Sequence, residues 1–339
     1  MNGTTENDGP RDGGAESGAG ADRRYDVVVI GGGAAGLSGA VTLARARRSV
    51  LVLDAGEPRN APAAHMHGYL GYDGHPPARL LSDGREEVAR YGGEVVRGAV
   101  VAVERLPGDE GFRVVREDGA AVVARALLLA TGLVDGLPEV PGVAERWGRE
   151  VLHCPYCHGW EVRSRPVGVL STGPLAVHQA LMWRQWTEDV TLFRHTGPAP
   201  TDEEYEQLAA RGIAVVDGEV TGLEVAGDRL TGVRLADGRL VEREAVVVQP
   251  RFTARTEGLA GLGLDVTAVV VVGGATVGSQ VATGPAGATE VPRVRVAGNA
   301  ADPKATVVVA AAAGVQAATA LNADLTDDDV RRAVAARRA

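Results

Sequence analysis

The 339-residue chain has only two cysteines, 4% aromatic residues and no apolar run approaching the roughly 20 residues that span a bilayer. Two cysteines are too few for the disulfide framework of a small secreted fold. Scarce Phe, Tyr and Trp leave the core to Val, Ala and Leu. A net charge of −9 argues against nonspecific nucleic-acid binding. The first 22 residues, with Gly13-Gly14 and Gly18-Ala19-Gly20 among acidic side chains, lack the apolar stretch of a signal peptide and read as a disordered tail. These absences set the expectation of a cytoplasmic chain with no membrane and no nucleic acid among its partners. Its length suggests two domains.

What is present is concentrated in His153-Cys154-Pro155-Tyr156-Cys157-His158-Gly159-Trp160, where both cysteines lie in a Cys-x-x-Cys spacing. Such a pair can close and reopen as a disulfide, and a nearby cation or helix N-terminus lowers a thiol pKa and favours the reactive thiolate. Three other readings stand beside redox chemistry. A zinc site needs four ligands, and only His153 and His158 lie nearby, adjacent residues that rarely converge on one metal, so no metal is expected. A structural disulfide closing so short a loop would constrain little of the unfolded chain. Two inert buried thiols would leave the surrounding motif without a purpose.

Tyr25 to Ile30 is a short, β-branched apolar run that reads as a buried parallel strand. It runs into Gly31-Gly32-Gly33-Ala34-Ala35-Gly36, a helix-patterned stretch from Leu37 to Arg47, and a second strand from Ser49 to Leu53 that ends at Asp54. A strand, a Gly-x-Gly-x-x-Gly turn, a helix and an acidic residue about 20 positions on are what dinucleotide binding requires. Gly31 permits the tight turn, Gly33 lets backbone approach a pyrophosphate, and Gly36 allows close helix packing. Further on, Ala126 to Gly132 and Val294 to Asn299 are apolar strands ending in small turns, the latter followed by a helix from about Thr306 to Asn322. Between them, Val167 to Ala176 and Val190 to Phe193 form a second strand-turn-helix-strand unit, with Trp183 and Trp186 as packing residues on its helix. The expected fold class is α/β, with two doubly wound Rossmann-like domains, the second inserted into the first. The expected boundaries are a tail at 1–24, a first domain from 25–136 and 253–322, an inserted domain at 137–252, and a C-terminal tail at 323–339.

The glycine turn, Ala130-Thr131-Gly132, the Cys-x-x-Cys pair and Ala297-Gly298-Asn299 form an ordered set that, across residues 25 to 322, resembles the low-molecular-weight thioredoxin reductase family of flavoproteins. The resemblance implies FAD as cofactor. Gly31, Gly33, Ala34, Ala35 and Gly36 would meet its pyrophosphate, Asp54 its adenosine ribose, and Thr131 and Gly132 its length. Arg59, Asn60 and His67 would line it from a loop, Gly298 and Asn299 would meet the ribityl chain, and Val307 and Val308 would face the isoalloxazine. The family usually has Gly-Asp where this chain has Gly298-Asn299, and Asp302 is expected to take over part of that role. A homodimer through the FAD domains is also implied.

The second domain departs from the family. An NADPH-using reductase needs a Gly-x-Gly-x-x-Ala turn and arginines for the 2'-phosphate. This chain has Ser171-Thr172-Gly173-Pro174-Leu175-Ala176, where Pro174 lacks an N–H donor, and a single Arg194 after the next strand. Together with Leu53 to Asn60, His65-Met66-His67-Gly68 and Cys-Pro-Tyr-Cys-His-Gly-Trp-Glu, this resembles the dithiol oxidases that form disulfides in holomycin-like, gliotoxin-type and romidepsin-type natural products. The implied activity is oxidation of a small-molecule dithiol, with electrons passing through Cys154 and Cys157 to FAD and then to O2 to give hydrogen peroxide. His153, His158 or Asp302 would act as acid or base. Two alternatives stay open: an NADPH- or ferredoxin-dependent thioredoxin reductase, and a non-catalytic dithiol-binding resistance or sensor protein.

Overall fold

A computed structural model describes residues 22–271 and 274–339. The chain enters on β1 (Arg23–Ile30), turns into α1 (Ala34–Arg45) and returns on β2 (Val50–Asp54). Then come α2 (Pro77–Arg90), β3 (Glu94–Arg97), β4 (Val100–Arg105), β5 (Phe112–Arg116) and β6 (Ala121–Leu129). These strands order as β3-β2-β1-β6-β5-β4, with the first four parallel and the last two antiparallel. From Val27 to Ile30 every residue of β1 is apolar and buried because both faces are covered there. Val28 and Ile30 join Leu53, Phe112 and Leu129 in one core, and Val27 and Val29 join Leu37, Leu43 and Leu128 in the other.

β7 (Leu133–Gly136) carries the chain out of this sheet. The next segment holds β8 (Val151–Leu152), α3 (Pro155–His158), β9 (Val167–Leu170), α4 (Ala176–Trp183), β10 (Val190–Phe193), α5 (Asp202–Ala210) and β11 (Ala214–Val216). β12 (Val220–Ala226), β13 (Arg229–Leu235) and β14 (Leu240–Glu242) form an antiparallel sheet of their own before β15 (Ala245–Val247). The second sheet is parallel, in the order β11-β10-β9-β15-β8. β16 (Arg251–Ala254) brings the chain back, pairing antiparallel with β7 so that Arg251 opposes Gly136 and Phe252 opposes Asp135. β17 (Val266–Val270) and β18 (Thr276–Val281) complete that crossing sheet, and β19 (Val294–Val296) then lies parallel beside β6. Two doubly wound sheets, the first mixed and the second parallel, with the second inserted into the first, are the α/β class expected.

Three expectations about element ends are corrected. Residues 1–21 of the expected tail lie outside the described residues, but Arg23 and Arg24 already belong to β1, because they pair with Val122 and Val123 of β6, and Arg23 also makes a two-pronged bond to Glu94 at 2.8 and 2.7 Å. The last helix, α6 (Val307–Arg338), does not stop at Asn322. In place of the C-terminal tail expected at 323–339 the helix continues, and Asp328 and Asp329 accept from Arg125 at 2.9 and 2.5 Å while Asp329 also accepts from Arg48 at 2.7 Å, which ties the distal turns to the first domain. α6 is also long and apolar enough, by length and composition, to cross a membrane; Ala310, Ala311, Gly314, Ala317, Ala318 and Leu321 are its buried face, and it packs along α1. Trp186 lies in the turn after α4 rather than on it, its N–H donating to the Trp183 carbonyl at 2.9 Å.

Candidate active site

The first turn is built by close approach. A Cβ on Gly31, whose φ is +107°, would sit 2.2 Å from the Ala130 carbonyl oxygen, and one on Gly36 would sit 1.9 Å from that of Gly31. A Cβ on Gly33 would meet nothing within 4 Å. Gly33 is the N-cap of α1, and no side chain caps the helix there, so the open side of the turn presents helix-start N–H groups as an anion site does. Ala34 and Ala35 begin the helix, and Asp54 takes the Gly32 N–H on Oδ1 at 3.1 Å, which leaves Oδ2 for a ribose hydroxyl. Thr131 donates to the Arg255 carbonyl at 2.7 Å, which pins the start of the crossing beside Gly132. A second helix starts without a side-chain cap at Thr306, with Val307 half-buried and Val308 exposed. A cradle that a Cβ would fill, two uncapped helix starts and a ribose acceptor fit FAD.

Around the second helix start the expected contacts are rearranged. Asn299 Nδ2 donates to the carbonyls of Asp302, Pro303 and Ala305 at 3.1, 3.4 and 2.9 Å, so beside Gly298 the Asn299 amide clamps its own loop and Oδ1 is the atom left for a hydroxyl. Asp302 is exposed, and its Oδ1 accepts the Lys304 N–H at 3.0 Å. That is a local turn contact, and the structure shows no link from Asp302 to the cysteines.

Cys154 is the N-cap of α3, and both its thiol and that of Cys157 are reduced and half-buried. Hydrogen bonding from the Cys157 side chain lowers the Cys154 pKa most, the N–H groups of Cys157 and Tyr156 and the charge of Arg59 add to it, and the value falls to about 7 against the cost of burial. Cys157 moves the other way, because it keeps the shared proton beside a thiolate. His153 Nδ1 lies 3.2 Å from the Val248 carbonyl, which can only accept, so Nδ1 carries the proton and Nε2 keeps a lone pair. Burial holds the His153 pKa below the usual imidazole value. Burial does the same to His158, whose two ring nitrogens are buried without a hydrogen-bond partner among the described residues.

The loop before α2 closes over this helix. His67 lies between Asp73 and Glu161, Nδ1 at 3.4 Å from one carboxylate and Nε2 at 3.3 Å from the other. Arg59 donates from Nε and Nη2 to the two Asp135 oxygens at 2.8 and 2.7 Å and from Nη1 to the Pro303 carbonyl at 3.2 Å, while Asn60 stays in the adjoining turn. Asp135, Phe252 and Glu161 were not expected at the site. Only Glu161 had a signal, as the last residue of the cysteine motif. Among the described residues no three His, Cys, Asp or Glu side chains cluster as a metal site would need.

The second turn is closed by its own chain. Ser171 is 3% exposed, its carbonyl accepts the Gly197 N–H at 2.9 Å, and its hydroxyl occupies the space beside Gly197, where a Cβ would come within 2.0 Å. Arg194 donates to Asp217 at 2.7 Å, and Leu175 packs against Leu133, Phe252 and Val277 of the crossing sheet.

The pattern of the pyridine nucleotide-disulphide oxidoreductase family matches residues 25–317. Thioredoxin reductase sirT of Leptosphaeria maculans is 32% identical over 314 residues, covering 88% of this chain and 93% of that protein. Thioredoxin reductase tcpT of Claviceps purpurea is 34% identical over 250 residues, covering 71% of this chain and 78% of that protein. The crystal structure of HlmI superposes with a TM-score of 0.84 at 49% identity, over 92% of this chain and 95% of that one.

Proposed function

Because the chain belongs to the pyridine nucleotide-disulphide oxidoreductase family and is a thioredoxin reductase-like flavoprotein with FAD as its cofactor, we propose that it is an oxidase that closes the disulfide of a small dithiol and delivers the electrons to oxygen. The observation that carries this reading is the pairing of Arg194 with Asp217 beside a turn that Ser171 and Gly197 close. A nicotinamide nucleotide would need that guanidinium and that backbone free.

In the disulfide form of the pair, a substrate thiol gives its proton to His153 Nε2 and its thiolate attacks the Cys154 sulfur. The Cys154–Cys157 bond breaks, and Cys157 leaves with the electron pair. The Cys157 thiolate, the more basic of the pair, takes the proton of the second substrate thiol, whose sulfur attacks the substrate sulfur bound to Cys154; the product disulfide forms and Cys154 leaves as a thiolate. A thiol with a pKa of about 7 leaves readily. Bound FAD supplies the acceptor for the electron pair left on the two cysteines, which oxygen carries away as hydrogen peroxide.

Leu70, Tyr156 and Trp160 are 97%, 73% and 66% exposed, the most exposed large apolar side chains among the described residues. Tyr156 lies between the cysteines, Trp160 three residues beyond, and Leu70 on the loop whose His67 touches Glu161. The Tyr156 ring stands edge-on to Trp186 at 5.6 Å, and the Arg163 guanidinium covers Trp160 at 4.0 Å. Held apolar rings beside a reactive sulfur support a substrate with an apolar framework, of the kind found in dithiol natural products.

Thioredoxin reduction is the second reading, favoured by the names of the fungal relatives. Anaerobic mixing of the holoenzyme with NADPH separates the two, since rapid bleaching of the flavin would sink the oxidase. Oxygen uptake with a small dithiol is expected in the parent and absent in Cys154→Ser and Cys157→Ser, both with FAD retained. Stoichiometric thiol capture without turnover would mark a sensor instead.

A further inference from the structure

Resting on the dithiol oxidase reading, we propose that Phe252 is a positioning residue that fixes the plane of the His153 imidazole, so that Nε2 is the atom presented to the incoming thiol. Phe252 is 4% exposed, and its ring centroid lies 5.5 Å from that of His153 with the planes at 75°. The Arg59 guanidinium lies 5.2 Å from the same Phe252 ring.

The arrangement follows from strand register. Asp135 on β7 and Phe252 on β16 are direct cross-strand partners, so their side chains emerge on one face of the crossing sheet. Asp135 holds Arg59 through two bonds, and Arg59 in turn covers Phe252. A slip of one residue between β7 and β16 would send one of the two to the opposite face. His153 reaches this platform from the end of β8, where its one hydrogen bond, Nδ1 to the Val248 carbonyl at 3.2 Å, leaves the ring free to swing about that contact. The edge contact with Phe252 removes the swing.

The charged groups acting on His153 are Arg59, which disfavours the imidazolium, and Asp135, which favours it. They are bonded to each other, so burial against Phe252 leads in keeping the ring neutral and able to accept a proton. In the step concerned, the substrate S–H bond breaks, the proton passes to Nε2, and the electron pair stays on the attacking sulfur.

The test uses FAD-loaded Phe252→Leu, His153→Gln and the double variant, with oxygen uptake on dithiothreitol followed across pH. Phe252→Leu should lower kcat/KM about tenfold and move the acid limb of the profile upward, because the imidazole regains solvent. In the His153→Gln background the same change should have no further effect. Losses that multiply, or an acid limb that stays in place, overturn the proposal. Should Phe252→Leu lose FAD, Phe252→Met carries the same comparison. A parent holoenzyme that consumes no oxygen with any dithiol refutes the oxidase reading instead. The NMR titration of the His153 ring then decides the positioning: an upward shift in Phe252→Leu supports it, and an unchanged midpoint overturns it.

Discussion

Cys157 donates its N–H to the Cys154 carbonyl at 3.2 Å, closing the first turn of α3 on its N-cap, and its side chain lowers the Cys154 pKa while its own rises. In the reduced protein, alkylation by iodoacetamide should therefore follow the Cys154 thiolate, with a midpoint near pH 7. Cys157→Ala removes the largest cause of that low value, so the midpoint should rise toward the ordinary thiol range. A midpoint that does not move would show that the helix start and Arg59 hold the charge without Cys157.

Two glycines of the first turn should fail in different ways. Gly36→Ala drives a methyl to 1.9 Å from the Gly31 carbonyl oxygen, and the expected result is misfolded protein. Gly33→Ala meets no protein atom within 4 Å at an N-cap with φ −78°, so the apoprotein should fold with an unchanged melting temperature and bind FAD poorly. Flavin absorbance and thermal melting of the two variants, measured together, check the distinction.

Asp328 gives α6 an acid-sensitive anchor. Burial alone would raise its pKa, and the guanidiniums of Arg125 and Arg332 outweigh burial and hold it below the usual carboxylate value. A depressed native pKa contributes stability that is full above the unfolded pKa and disappears as pH falls through the native one. Asp328→Asn should thus cost about 1–3 kcal/mol at neutral pH, and the difference from the parent should shrink in strong acid. Urea midpoints at the two pH values measure it, and a pH-independent difference would assign the effect to packing.

Trp160→Ala should raise KM for an aromatic or bicyclic dithiol about tenfold while leaving dithiothreitol oxidation nearly unchanged. Equal losses on both substrates would place Trp160 in the support of the cysteine helix and not on the substrate.

What was legible in the sequence was whatever demanded a residue type. Gly31 and Gly36 lie against backbone carbonyls, so nothing larger fits, and the first cradle could be read before its neighbours were known. Pro174 and the missing glycine likewise announced a poor second turn. Asp135 and Phe252 were invisible because their roles come from the pairing of two strands distant in sequence, and an aspartate opposite a phenylalanine has no local pattern. The continuation of α6 past Asn322 was hidden for the same reason, since the partners of its distal turns are Arg48, in the turn before β2, and Arg125 on β6. The meeting of His67 with Glu161 was hidden as well, because it joins two loops distant in sequence.

Gly136 faces Arg251 across one antiparallel pair, so the whole segment from Leu137 to Pro250 leaves and rejoins the flavin-side fold at neighbouring points. A stretch inserted through so narrow a neck is a module: a short turn between β7 and β16 would close the remaining fold, and another insert could be spliced at the same place. Changes within the inserted segment, its closed second turn included, therefore need not disturb the cradle of the first turn, and the same junction is where an engineer would graft a different domain.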